Sequence, residues 1–138
     1  TGKAPVLRLA LSPVSRDHAP SLRDWARDLG WPLVVGYDGA EAGVAVFLRT
    51  SDEGREHTVG TPLPSIEVRV VDVNDRRRVA GPGTVGRLMI KGPQVFHGYW
   101  KKPDETTAVL SADGWVMTTS LASIDAEGYV ALVPSPEH

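Results

Sequence analysis

Residues 85–103 read VGRLMIKGPQVFHGYWKKP, and the reading of this stretch decides the fold. Leu88-Met89-Ile90 is the apolar centre of a short strand, and Gly92-Pro93 ends it in a turn. Val95-Phe96 opens a second apolar pair, and Gly98 places Tyr99 and Trp100 directly behind a flexible residue. Lys101-Lys102-Pro103 stops the run. Strand, turn, irregular strand, stop is a pattern of antiparallel β-structure.

Downstream, residues 104–110 predict one or two helical turns with Asp104 as cap and Glu105 in the first turn. Asp113-Gly114-Trp115 turns into a strand at 116–118, residues 124–128 (IDAEG) form a hairpin turn, and 129–133 (YVALV) give the last strand. Upstream, residues 66–73 (IEVRVVDV) alternate apolar and charged side chains with period two, as a half-exposed strand does. Between the two, residues 74–83 make a charged turn with Arg76, Arg77 and Arg78 at its tip. Such a run suits phosphate or acidic partners, and a solvated hairpin tip is the plainer reading.

The N-terminal third differs in character. Residues 6–11 (VLRLAL) predict a strand bounded by Pro5 and Ser12-Pro13. Residues 20–29 predict an amphipathic helix with Leu22, Trp25, Ala26 and Leu29 on one face, capped by Asp17 or Ser21 and ended by Gly30. Residues 31–35 (WPLVV) predict the next strand, 36–43 a Gly-rich turn, and 43–48 (GVAVFL) a third strand. Strand, helix, strand over this length is a βαβ unit, whose strands pair in parallel. The polar segment 49–57 predicts a boundary. The expectation is therefore an α+β chain, with a βαβ-containing lobe over residues 1–50 and a mostly antiparallel β-barrel-like subdomain over 51–138.

Composition narrows the classes. A chain of 138 residues with 41% apolar and 23% charged side chains is of globular type. Fifteen Lys and Arg against seventeen Asp and Glu leave a formal charge of −2, which favours neither nucleic acid nor an anionic membrane. The absence of cysteine excludes disulfides and thiolate metal sites. No apolar run spans a bilayer, and residues 1–5 do not read as a signal peptide. A cytoplasmic location is the expectation. The four histidines, His18, His57, His97 and His138, have no mutual spacing that suits a metal. Trp25, Trp31, Trp100 and Trp115 read most simply as packing residues.

With these elements placed, the order of motifs resembles the adenylate-forming superfamily, and within it the acyl-CoA synthetases. Residues 7–17 take the place of a strand and an adenine-side loop. Residues 32–43 (PLVVGYDGAEAG) resemble an aromatic-Gly-x-Thr-Glu motif, and 59–71 the lead into the small β-barrel. Residues 85–103 resemble a Gly-Glu-Leu…Gly-Tyr-Trp…Pro motif, and 113–129 the segment that carries Thr-Gly-Asp. The resemblance implies a two-step ligation. A carboxylate attacks the α-phosphate of ATP to give an acyl-adenylate and pyrophosphate, and the thiol of coenzyme A then takes the acyl group. Phosphates, magnesium and ribose must all be held for this.

Carried over by position, the resemblance makes Tyr37 the aromatic against adenine, Glu41 the magnesium ligand, and Ser120 the occupant of the ribose-binding aspartate's place. The plainer readings are a solvated loop carboxylate for Glu41 and a loop tyrosine on apolar surface for Tyr37. Ala40 stands where a phosphate-binding threonine is expected, and its methyl group makes no hydrogen bond. Ser120 is neutral and cannot make the charge-assisted bidentate contact. Thr119 replaces a glycine, Met117 a frequent arginine, Arg87 the glutamate of Gly-Glu-Leu, and Pro13 and Val14 loop glycines. Scaffold positions such as Gly60, Gly86, Gly98, Tyr99 and Trp115 match. No phosphate loop is read upstream, and the sequence stops before the position of a hinge and a lysine-bearing C-terminal domain.

The expectation is a middle segment of an acyl-CoA synthetase-like protein that is not catalytic alone and binds no cofactor alone. ATP, magnesium and coenzyme A are implied for the family. Its partners would be the remainder of the ligase or a second copy of itself. The alternative is a degenerate homologue serving as an interaction or regulatory module. A family-free reading is a plain β-rich binding module.

Overall fold

The computed structural model describes residues 10–13, 19–30, 33–39, 41–47, 54–55 and 57–133. The elements run β1 (Ala10–Pro13), α1 (Ala19–Asp28), β2 (Leu33–Gly39), β3 (Gly43–Phe47), β4 (Thr61–Pro62), β5 (Glu67–Val71), β6 (Gly86–Lys91), α2 (Pro103–Val109), β7 (Val116–Ile124) and β8 (Val130–Val133). They build two sheets of four strands, ordered β1-β2-β3-β4 and β5-β6-β7-β8. The class is α+β, as the sequence implies.

In the first sheet β1 and β2 are parallel and α1 connects them, which is the expected βαβ unit. The sheet then turns antiparallel through β3 and β4. Two expectations change here. β1 runs through Ser12 and Pro13, where a stop was expected, with Pro13 opposite Gly36. Among the described residues β1 is the outermost strand of this sheet, and an edge tolerates a residue that cannot donate to the ladder. β2 continues through Gly36 and Tyr37 to Gly39, so most of the expected Gly-rich turn is strand, and Tyr37 is a strand residue. Residues 6–9, the cap candidate Asp17, Val14, Trp31, Ala40 and most of the polar segment 49–57 lie outside the described residues.

The second sheet is an antiparallel meander, and its centre is buried on both faces. Val70, Leu88, Ile90, Ala122 and Val130 pack against Tyr37, Ala42, Ala45 and Val46 of the first sheet. On the opposite face Val71, Met89 and Trp115 form a second cluster, with Met117 against it. The alternation of apolar and charged residues over 66–73 implies a half-exposed strand, but the adjacent Val70 and Val71 are both buried, one in each cluster. Burying a side chain such as Leu88 or Ile90 contributes about 1.5–3 kcal/mol.

The sheets meet at a corner. Val59 and Gly60 exchange backbone hydrogen bonds of 2.8 Å with Val130 of β8. The next two residues, Thr61 and Pro62, pair with β3. Gly60 makes the bend at φ +100°, a backbone state that a side chain disfavours. At Gly86 the constraint is space, since a Cβ there would stand 2.2 Å from the carbonyl oxygen of Val71.

The stretch 92–102 corrects the sequence reading. Residues 95–98 form no strand but a loop that returns to the β2–β3 turn, with Phe96 N donating to the carbonyl of Glu41 at 2.9 Å. In α2 Pro103 opens the helix, Lys102 occupies the cap position without a side-chain bond, and Asp104 falls inside the first turn. Among the tryptophans, Trp115 is buried, but Trp25 is 54% and Trp100 86% exposed, so neither is a core residue. On α1 it is Ala26, at 1% exposure, that packs inward. No helix among the described residues is long and apolar enough to cross a membrane.

Candidate functional site

β7 is nine residues long, where a three-residue strand was expected, and it is irregular. Arg87 pairs with Leu121 and Met89 with Met117, so β7 advances four residues where β6 advances two. The surplus in β7 is a bulge around 118–120. Thr118 repairs the ladder: its hydroxyl donates to the Leu88 carbonyl at 2.9 Å and accepts from Ser120 N at 3.2 Å. The Arg87 guanidinium donates to the carbonyl of Thr119 at 3.4 Å. A bulge re-aims the side chain it carries. Here Ser120 reaches the first sheet, where its hydroxyl lies 3.1 Å from the hydroxyl of Tyr37.

Tyr37 sits beside an irregularity of its own, the register shift between Tyr37 and Asp38. It is 7% exposed and belongs to the inter-sheet core. Gly39 lies close to its ring, since a Cβ at that position would be 3.5 Å from Cε1. Tyr37 is thus a core residue whose polar tip is satisfied by Ser120.

Glu41 occupies the turn between β2 and β3. Its carboxylate accepts a hydrogen bond of 2.7 Å from the hydroxyl of Tyr99. Tyr99 is itself held in place. Its backbone N donates to the Thr106 hydroxyl at 2.9 Å, and its ring meets Phe96 edge-on at 4.9 Å. Gly98, at φ +137°, lets the chain approach Thr106, where a Cβ would come within 2.8 Å. The Glu41 hydrogen bond, with lesser help from burial and from the charges of Glu41 and Glu105, holds the Tyr99 phenol above its usual 10.0. A carboxylate that accepts from the neutral phenol opposes its ionisation.

The three residues singled out in the sequence therefore fall into two hydrogen-bonded pairs at one end of β2, Tyr37 with Ser120 and Glu41 with Tyr99. Tyr99 was legible only as a scaffold position. Its partner lies 58 residues away, and no local pattern reports such a pair. Met117 points away from this site and packs on the outer cluster with Met89.

The chemistry of these donors can be set against the groups the resemblance implies. Magnesium takes one or two carboxylates and completes its octahedron with water and substrate phosphates. Glu41 has one carboxylate oxygen outside the Tyr99 bond, so it fits only as a single ligand to an ion otherwise held by phosphate. Among the described residues no three His, Cys, Asp or Glu side chains gather around a common point. A ribose diol fits less well. Ser120 offers one neutral hydroxyl, already paired with Tyr37, where a bidentate grip needs a carboxylate.

Comparison with known proteins gives a consistent picture. The model of a family described as AMP-binding enzyme matches residues 3–100. A long-chain-fatty-acid–CoA ligase of Salmonella typhimurium is 36% identical over 110 residues, covering 79% of this chain and 19% of that protein. Apo MatB from Rhodopseudomonas palustris superposes with a TM-score of 0.82 at 28% identity, over 94% of this chain and 26% of MatB. The o-succinylbenzoate CoA synthetase MenE from Bacillus subtilis, solved with its acyl-adenylate intermediate, gives 0.81 at 26% identity over 96% of this chain and 34% of that one. The chain spans about a fifth of the length of the curated relatives it matches.

Proposed function

The chain belongs to the AMP-binding enzyme family, in the adenylate-forming superfamily, and from that premise we propose that it is a scaffold segment of an acyl-CoA synthetase-like ligase that does not complete the ligation alone. In such a ligase a carboxylic acid is activated by ATP with magnesium and passed to coenzyme A. The segment's part is to set the end of β2, the β2–β3 turn and the bulge of β7 against one another. The observation that carries this reading is the 3.1 Å contact of Tyr37 with Ser120. Two side chains at nucleotide-facing positions of the family motifs satisfy each other instead of presenting a charged acceptor to a ligand. Each lost charge-assisted contact weakens binding by about 1.5–3 kcal/mol, or roughly ten- to a hundredfold.

The test is ATP–pyrophosphate exchange by the 138-residue chain with magnesium and a panel of fatty and dicarboxylic acids. The expected result is exchange at the level of the protein-free control. Exchange above it would refute the reading.

A second reading, that the chain is a non-catalytic homologue used for association, has one specific observation in its favour. Trp100 is 86% exposed, with Lys101 above its ring at 5.7 Å, an arrangement suited to contact with another surface. Sedimentation of the chain and of Trp100→Ser separates the readings. Self-association abolished by the substitution favours the second, and monomers throughout favour the first.

A further inference from the structure

On the outer face of the second sheet, away from Tyr37 and Ser120, lies a cleft of about 420 Å³. That volume is within the range of small-ligand sites. Arg69, Arg76 and Arg77 line it, together with Asp113, Met89 and Met117. We propose that this cleft binds a phosphate monoester carrying a small apolar group, with the arginines on the phosphate and the methionines beneath the apolar part.

The cations are placed by the fold. Arg69 stands on β5 opposite Met89, its guanidinium 4.1 Å from the centre of the Trp115 ring and its Nη2 3.8 Å from the Met89 sulphur. Its Nε is buried without a hydrogen-bond partner. Arg76 and Arg77 come from the β5–β6 connection, and Arg76 donates to the Ala108 carbonyl of α2 at 3.3 Å. The nearby acids are otherwise engaged. Asp72 accepts from Asn74 N and Asp75 from Arg77 N, both as local turns. Among the described residues none of the three arginines forms a salt bridge.

Three guanidinium groups thus face one carboxylate, Asp113, which is tied to the Ser111 hydroxyl at 2.5 Å. Guanidinium forks match the oxygens of a phosphate dianion, and a site that gathers them with few counter-charges favours an anion. The Asp113 carboxylate in the lining disfavours a run of several phosphates. Met89 and Met117 supply an adaptable apolar floor. This site does not depend on the ligase reading, because none of its lining residues belongs to the Tyr37–Ser120 or Glu41–Tyr99 pairs or hydrogen-bonds to their side chains.

The chain contains only two methionines, and both line this cleft. Methyl-labelled methionine therefore gives an NMR spectrum that reports on this site alone. The experiment titrates the labelled chain with butyl phosphate at constant ionic strength, with inorganic phosphate and sodium chloride as separate arms. The expected result is a saturable shift of both methyl resonances. Binding of inorganic phosphate should be weaker, and chloride should have no effect. Arg77→Gln and Arg76→Gln should each raise the butyl phosphate dissociation constant by about tenfold or more while leaving the ligand-free spectrum in place. Unmoved resonances, or shifts that are linear and the same in the arginine variants, would overturn the site. Equal binding of inorganic and butyl phosphate would overturn the part assigned to the methionines.

Discussion

At the residue scale, the informative event is how two polar groups find partners. Tyr37 is carried into the core by its strand, and burial of a hydroxyl demands a hydrogen bond. A serine at position 120 meets that demand. Glu41 finds its partner in Tyr99, and the effect can be tested by titration. Because the neutral phenol donates to the carboxylate, the folded pKa lies above 10.0. The stabilisation from this contact is therefore complete below the unfolded value and is lost as pH rises through the folded one. With three tyrosines in the chain, alkaline titration followed by ultraviolet absorbance should resolve a late-ionising phenol. In Glu41→Gln that phenol should move down toward the ordinary range. A titration curve indifferent to the substitution would show that the contact does not exist in solution.

At the element scale, the bulge of β7 decides where Ser120 points, and Thr118 holds the bulge. Thr118 is buried and serves Leu88 O and Ser120 N at once. Thr118→Val keeps the shape and removes both bonds, leaving a carbonyl and an amide without partners. The expected cost is about 1–3 kcal/mol, measured as a lower urea midpoint at unchanged slope. Faster hydrogen exchange at the Ser120 amide should accompany it. A variant as stable as the parent, with that amide still protected, would mean the ladder closes without the hydroxyl. The hairpin that follows is clasped from outside. The Arg55 guanidinium contacts Asp125 at 2.6 Å and Glu127, and lies 4.3 Å over the Tyr129 ring. Such partly exposed pairs contribute little individually.

At the scale of the whole molecule, the two sheets share one core. Residue 50, expected as the boundary between a βαβ lobe and a barrel-like subdomain, falls between β3 and β4 of the first sheet. The core draws Tyr37, Ala42, Ala45 and Val46 from one side of it and Val59, Val70, Leu88, Ile90 and Val130 from the other. β4, the last strand of the first sheet, also lies beyond it. Peptides 1–50 and 51–138 made separately should each lack a cooperative urea transition and regain one on mixing, because each leaves half of that core in water. A cooperative transition of 51–138 alone, at the midpoint of the intact chain, would count against a shared core.

The order of elements, the parallel βαβ pair, the antiparallel meander and the family were all legible in the sequence. They rest on side-chain period, on glycine and proline at turns, and on motif order, which are properties of neighbours along the chain. The length of β2 and β7, the loop at 95–98 and the partners of Tyr37 and Glu41 were not. A strand continues through Gly36 or Ser120 only because another strand lies beside it, and neighbours 83 or 58 residues apart leave no local mark. Sequence determined what kind of chain this is. Only packing between the two sheets decided that Tyr37 and Ser120 face one another.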